Sequence, residues 1–212
     1  AALQQDAVTA TGTLINDSYA RNSGDAGAAG LGGSGGGIFG FLNPGLPGTA
    51  GNLLGAALQL DQDNNSLSNV IVWNDRLSIA GSLIEVADPT LVTWQQSIVE
   101  GSNGSTALWT SDLGIDLGGN LDSDPLFEDL DGADDTLGSA DDQAMLASGS
   151  PAVDSGSNAV LPTDVLDIDG DSDSGETLPL DVDGLTRVSD GDGDATATVD
   201  RGASERPAPG NG

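Results

Sequence analysis

Short apolar groups recur in this sequence in look-alike settings. Leu14-Ile15-Asn16-Asp17-Ser18-Tyr19-Ala20-Arg21-Asn22 shares a Leu-x-Asn start and an Asn finish with Leu67-Ser68-Asn69-Val70-Ile71-Val72-Trp73-Asn74. Ser82-Leu83-Ile84-Glu85 and Ser97-Ile98-Val99-Glu100 share a Ser-apolar-apolar-Glu pattern. Groups such as Asn69-Val70-Ile71-Val72-Trp73 and Ser97-Ile98-Val99 read as strands bounded by turn residues. Degenerate repeats of short strands predict a solenoid. In a parallel β-helix each coil donates a few short strands, inward side chains stack on the next coil, and Asn ladders at the turns. A β-sandwich also shows short strands at regular spacing, and it is the alternative fold.

Helix signals are few. Gly24 to Gly55 holds 13 glycines, among them Gly35-Gly36-Gly37, a density that no helix interior tolerates. Only residues 1–10 and 52–60 (Asn52-Leu53-Leu54-Gly55-Ala56-Ala57-Leu58 and onward) are expected to form short helices. No apolar run approaches the roughly 20 residues of a membrane span.

The charges limit the chemistry. The chain has 212 residues and a formal charge of −29, with no Cys and no His. Its five basic residues are all arginine, so there is no Lys. These absences remove the Walker A loop, Schiff-base chemistry, thiolate and imidazole metal sites, and the Ser-His-Asp triad. So acidic a chain repels nucleic acid and anionic lipid. Carboxylate chemistry, hard cations and scaffolding remain. Low aromatic content and high charge also fit disorder, but the compact apolar groups argue against it for most of the chain. The sequence opens at Ala1, with no charged or apolar signal segment, and is read as a processed protein or an excised piece.

Residues 1–120 carry a net −9 and residues 121–212 a net −20. That asymmetry divides the chain into β-helix coils (1–120, with a Gly-rich insertion near 24–55), an Asp-rich β/loop segment (121–206) and a flexible tail (207–212).

Several pieces, taken in order, resemble a known family. They are the Leu-x-Asn pattern at 14–22, Gly35-Gly36-Gly37-Ile38, Leu67-Ser68-Asn69-Val70-Ile71-Val72-Trp73 and Ser97-Ile98-Val99-Glu100-Gly101. Asp124-Pro125-Leu126-Phe127, Gly149-Ser150-Pro151-Ala152-Val153-Asp154-Ser155-Gly156 and Asp181-Val182-Asp183-Gly184-Leu185-Thr186-Arg187 follow. The last is Val199-Asp200-Arg201-Gly202-Ala203-Ser204-Glu205. Together, over about residues 12–206, they resemble the C-terminal portion of right-handed parallel β-helix cell-surface proteins of the choice-of-anchor and polymorphic outer-membrane types. The resemblance implies an all-β fold, a right-handed parallel β-helix with a loop-rich, Asp-rich C-terminal segment, and an extracellular or cell-surface location. It transfers no catalytic residue. Arg201 stands where the family has an apolar residue and Ser204 where it has an aromatic one, so the terminal strand is expected to pack less firmly.

Three Asp-rich stretches carry the clearest chemical signal. They contribute Asp129, Asp131, Asp134 and Asp135; Asp167, Asp169, Asp171, Asp173 and Glu176; and Asp190, Asp192 and Asp194. Calcium takes six to eight oxygen ligands, and alternating Asp in a Gly-kinked loop wraps several carboxylates around one point. The second stretch is no regular EF-hand, because Ser172 stands at its sixth position and Leu178 at its twelfth. The plainer reading is solvated acidic loops. Of 34 acids 29 are Asp, a bias that solvation does not explain, and clustered like charge opposes folding unless a cation neutralises it. The twelve acids are therefore taken as candidate ligands of structural Ca²⁺.

Other motifs carry less. Gly30-Leu31-Gly32-Gly33-Ser34-Gly35 matches the dinucleotide fingerprint, but neither a strand before it nor a helix after it supports that reading. Trp73 is expected to pack, while Trp94 and Trp109 are open between packing and stacking on sugars. Glu85 and Glu100 sit at matching repeat positions, as a catalytic carboxylate pair on neighbouring coils would, though a surface ladder is the plainer account. Sequons at Asn16, Asn64 and Asn103 are within chance for an Asn- and Ser-rich chain.

The expected function is non-enzymatic: a calcium-stabilised extracellular structural protein, either an adhesin or a self-assembling filament subunit. Its expected partners are further copies of itself and surface glycans, with no nucleic acid and no membrane span. The alternative is a polysaccharide-binding or polysaccharide-degrading β-helix protein.

Overall fold

The structure, a computed structural model, describes residues 12–16, 18–20, 23–24, 55–60, 64–73, 76–77, 82–135, 141 and 143–210. These residues are β-rich. The strands are β1 (Gly12–Ile15), β2 (Ser18–Ala20), β3 (Ser23–Gly24), β4 (Gly55–Leu60), β5 (Asn65–Ser68) and β6 (Ile71–Trp73). They continue with β7 (Arg76–Leu77), β8 (Ser82–Val86), β9 (Val92–Gln95), β10 (Ile98–Val99) and β11 (Ile115–Asp116). The helices among the described residues are single 3-10 turns at Pro89–Leu91, Ser111–Leu113 and Asn158–Val160. None is long and apolar enough to cross a membrane.

Every pairing between these strands is parallel. One sheet runs β1-β5-β9-β11, a second β2-β6-β10, and two more pair β3 with β7 and β4 with β8. The spacing is shared between sheets. Gly12 faces Asn65, Ser18 faces Ile71 and Ser23 faces Arg76, one sequence interval in three sheets. Asn65 faces Val92, Ile71 faces Ile98 and Gly55 faces Ser82, a second common interval. A parallel pair needs a long connection, and here each connection contributes strands to the other sheets.

The Leu-x-Asn repeat is in register: Leu14 pairs with Leu67, and Leu67 with Trp94. The Ser-apolar-apolar-Glu repeat is not. Ser82-Leu83-Ile84-Glu85 lies in β8 against β4, whereas Ile98 and Val99 lie in β10 against β6. Glu85 and Glu100 therefore do not occupy equivalent positions, which removes the basis for pairing them as catalytic acids. Residues 55–60 correct another expectation, since they form β4 rather than helix. Leu58 and Leu60, two apart, are both buried, a strand's period rather than a helix's. Residues 1–10, 25–54 and 211–212 lie outside the described residues, and with them the first expected helix, most of the Gly-rich insertion and the end of the tail.

Two apolar clusters hold the fold. The first gathers Leu58, Leu60, Leu67, Val70, Val72, Ile84, Val92, Trp94 and Val99. The second joins Ile71 and Ile98 to Leu146 and Ala152, with Trp73, Leu121, Phe127 and Val153 packed against it. Val70 and Val72 thus face one cluster and Ile71 the other. A strand buried on both faces reads as a continuous apolar run, which accounts for Val70-Ile71-Val72-Trp73. Trp94 is fully buried, and its indole N–H donates to Leu113 O at 2.7 Å, so it packs and has no face for a sugar. Trp109 is half-buried against the first cluster and donates to Gly114 O at 2.8 Å.

Beyond Leu121, which bridges to Ile98, only isolated antiparallel bridges occur among the described residues: Phe127–Leu146, Thr163–Thr177, Leu180–Thr186 and Ser189–Thr198. This loop-rich segment packs on the strands. Residues 207–210 are exposed.

Candidate metal centre

Position 16 and its register partner 69 build the surface on which the acidic segment sits. Asn16 and Asn69 follow β1 and β5 with φ near +55° (54° and 55°), and Gln96 follows β9 at 46°. Asn tolerates this left-handed turn better than most residues. The turns are joined by N–H donation from Asn16 to Ser68 O, from Asn69 to Gln95 O and from Gln96 to Gly118 O. Asn69 Nδ2 donates to Asn16 Oδ1 at 3.2 Å and to Ser157 O at 3.1 Å, while its Oδ1 accepts from Ser157 N–H at 2.8 Å. Asn16 Nδ2 donates to Asp200 O at 2.9 Å. The Asn ladder expected at the turns thus also binds the C-terminal segment.

The final motif is tightly packed, contrary to expectation. Arg201 is only 4% exposed, with Nε donating to Ser155 O and Nη1 to Ser97 O. Burial lowers its pKa to about 10. Ser204 and Glu205 are buried as well. Glu205 pairs with Arg187 at 3.0 Å and accepts from Asp200 N–H. Burial pushes Glu205 up to about 8, against the pull of Asp200 N–H and Arg187. Burial likewise pushes Asp200 up to about 6, although it accepts from the N–H groups of Asp154 and Arg206. The Arg201 guanidinium is held by the carbonyls of Ser155 and Ser97, so hydrogen bonds give this position a firm fit without an apolar side chain.

The alternating Asp residues largely serve their own backbone. Asp169, Asp171 and Asp173 accept from the N–H groups of Asp171, Asp173 and Gly175, each two residues on. Asp192 and Asp194 do the same with Asp194 and Thr196, and Asp181 with Asp183. Such Asx turns suit Asp, whose carboxylate stands one methylene closer to the backbone than that of Glu. The Asp-over-Glu bias therefore has a structural cause that requires no metal.

Three groups of carboxylates nevertheless converge, with one oxygen from each residue within 4.8 Å of the others: Asp154, Asp190 and Asp192; Asp164, Asp169 and Glu176; and Asp167, Asp169 and Asp171. Asp167, Asp169, Asp171, Glu176, Asp190 and Asp192 were identifiable by sequence. Asp129, Asp131, Asp134 and Asp135 form no such group among the described residues, and Asp173 and Asp194 lie outside the three. Asp154 and Asp164 were missed by sequence reading, because each stands alone outside an alternating run and joins its partners only through the fold.

The middle group is built by a short ladder. Thr163 bridges Thr177, Asp164 N–H donates to Glu176 O at 2.8 Å, and Leu178 N–H donates to Pro162 O at 2.9 Å. This sets Asp164 beside Glu176 at the mouth of a loop carrying Asp169. Asp164 is 1% exposed. Its Oδ2 accepts from Ile168 N–H at 2.8 Å, whereas its Oδ1 and Glu176 Oε1 are shielded from solvent with no hydrogen-bond donor. Glu176 is pushed up by loss of solvent and by the carboxylates of Asp171, Asp169, Asp173 and Asp164. In the first group Asp154 Oδ1 also lacks a donor, but both Asp190 oxygens already accept, from Gly193 and Ala195 N–H.

Compared with family models, curated proteins and solved structures, the chain matches none.

Proposed function

We propose that this chain is a structural, non-enzymatic part of an extracellular or cell-surface protein: coils of a right-handed parallel β-helix, closed along one side by an acidic segment that holds calcium. The carrying observation is the shared stride, in which separate parallel sheets repeat at the same sequence intervals. A solenoid produces that stride, because each turn of the chain adds one strand to every sheet; a sandwich does not. The right hand follows the general rule for parallel crossovers. The resemblance of the sequence motifs to surface β-helix proteins supports the location.

Self-assembly is part of this reading. Among the described residues β1, β2 and β3, which pair at one common interval with β5, β6 and β7, each have a strand partner on one side. A row of open strand edges accepts strands from another copy, and head-to-tail addition gives an open filament. Light scattering and electron micrographs of the purified chain test it. Concentration-dependent oligomers or fibres are expected, and a strict monomer with and without Ca²⁺ overturns the assembly reading. The polysaccharide alternative is weaker, since Trp94 is enclosed, and Glu85 lies in β8 against β4 whereas Glu100 follows β10, which pairs with β6.

A further inference from the structure

We propose that Asp164, Asp169 and Glu176 form one structural calcium site, which fastens the loop between them to the Thr163–Thr177 ladder. The inference rests on the reading that the acidic segment holds calcium, and it narrows three geometric groups to one set of ligands, two of them sequence candidates and the third, Asp164, supplied by the fold.

Three observations select this set. The three carboxylates converge within 4.8 Å. Asp164 is almost completely buried, and one of its oxygens has no donor, as has one oxygen of its neighbour Glu176. Buried acceptors of this kind are rare in folded proteins unless something satisfies them. The arginines whose side chains are described are engaged elsewhere: Arg187 with Glu205, Arg206 with Glu128, and Arg201 with the backbone. Among the described side chains no arginine compensates the three converging carboxylates, which leaves a metal ion or a proton from solution.

The donor chemistry favours calcium among metals. All ligands are hard carboxylate oxygens, and the chain has no His or Cys to suit zinc or copper. Three carboxylates offer up to six oxygens, and calcium accepts irregular shells completed by carbonyls and water, whereas magnesium demands a near-ideal octahedron. The Asp154, Asp190 and Asp192 group is the weaker candidate, because none of its members is fully buried, whereas Asp164 is 1% exposed.

The test is calorimetric titration of the EGTA-stripped full chain with CaCl₂ and, separately, MgCl₂ at fixed ionic strength. Wild type, Asp164→Asn, Glu176→Gln, Asp190→Asn and Asp129→Asn are compared, with circular dichroism to check folding. The expected result is at least tenfold weaker calcium binding in Asp164→Asn and Glu176→Gln, wild-type binding in the other two, and little heat from magnesium. Glu176→Gln decides the matter if Asp164→Asn fails to fold. Binding lost in Asp190→Asn but kept in Glu176→Gln overturns this site and leaves calcium in the acidic segment. No binding by the wild type overturns both readings. If Glu176→Gln also raises the melting temperature at pH 8, a shared proton between Asp164 and Glu176 replaces the metal.

Discussion

Asn69 is the residue on which strands and acidic segment jointly depend, and its replacement gives the sharpest test of the fold. It is fully buried and makes three hydrogen bonds, two to Ser157 and one to Asn16. Asn69→Gly keeps the left-handed backbone and removes all three. Each buried polar group left without its partner costs about 1–3 kcal/mol. Ser157 is half-buried and Asn16 retains its bond to Asp200, so the low end applies to each. The expected loss is about 3 kcal/mol, a large part of the roughly 5–15 kcal/mol that holds a domain together. Asn69→Ala loses the same bonds and adds left-handed strain, and is expected to be worse by about 1 kcal/mol. Asn103→Gly is the control: Asn103 also has positive φ (64°) but is exposed, so a change within about 0.5 kcal/mol is expected. Urea unfolding with linear extrapolation measures all three variants. A loss below about 1 kcal/mol in Asn69→Gly with an unchanged m-value would refute the view that this side chain ties the two halves together.

Other outcomes follow from single contacts. Gly202→Ala places a Cβ 2.5 Å from Ser18 Oγ and 2.9 Å from Ile71 Cδ1 at a φ of +97°. It should lower stability by about 2–4 kcal/mol through overpacking and backbone strain, and a melting temperature equal to wild type contradicts the docked position of this segment. In Trp73→Phe/Trp109→Phe, Trp94 is the remaining tryptophan, and its emission should be blue-shifted and resist acrylamide; a quenching constant like that of free tryptophan contradicts its burial. Asp200 and Glu205 both have folded pKa values above the ordinary carboxylate range, so the native state binds more protons than the unfolded state between about pH 4 and pH 8. Their contribution is therefore most favourable at low pH and is lost as pH rises. Asp200 alone, raised from 3.8 to about 6, sets a ceiling of about 3 kcal/mol on that loss. Calcium-free melting curves from pH 5 to pH 8 should fall; a steady rise over that range contradicts the burial of these acids.

The strands were legible where one residue's environment repeats. Leu14 and Leu67, with Asn16 and Asn69, share a register because the inward apolar position and the left-handed turn recur at fixed separation. The Ser-apolar-apolar-Glu echo misled because any two-sided strand ending in a polar residue produces it, whichever sheet it joins. Residues 55–60 misled because Gly-Ala-Ala-Leu suits a helix locally, and the pairing with β8 overrode that preference. In the acidic segment the alternation of Asp was visible and its cause was not. Much of it closes Asx turns, and two members of the carboxylate groups, Asp154 and the buried Asp164, come from outside the runs.

The closing contacts span almost the whole chain. Asn16 reaches Asp200 and Ser18 reaches Ala203, separations of 184 and 185 residues. During synthesis the first strands are made long before the residues that cover them, so final docking waits for the C-terminal motif to be released. Contacts of such high order make folding slow. They also place Asn16, Ser18, Asp200 and Ala203 in one mechanical clasp. A pull applied between the two ends of this chain loads that clasp first, and the parallel strands beneath are sheared only after it opens.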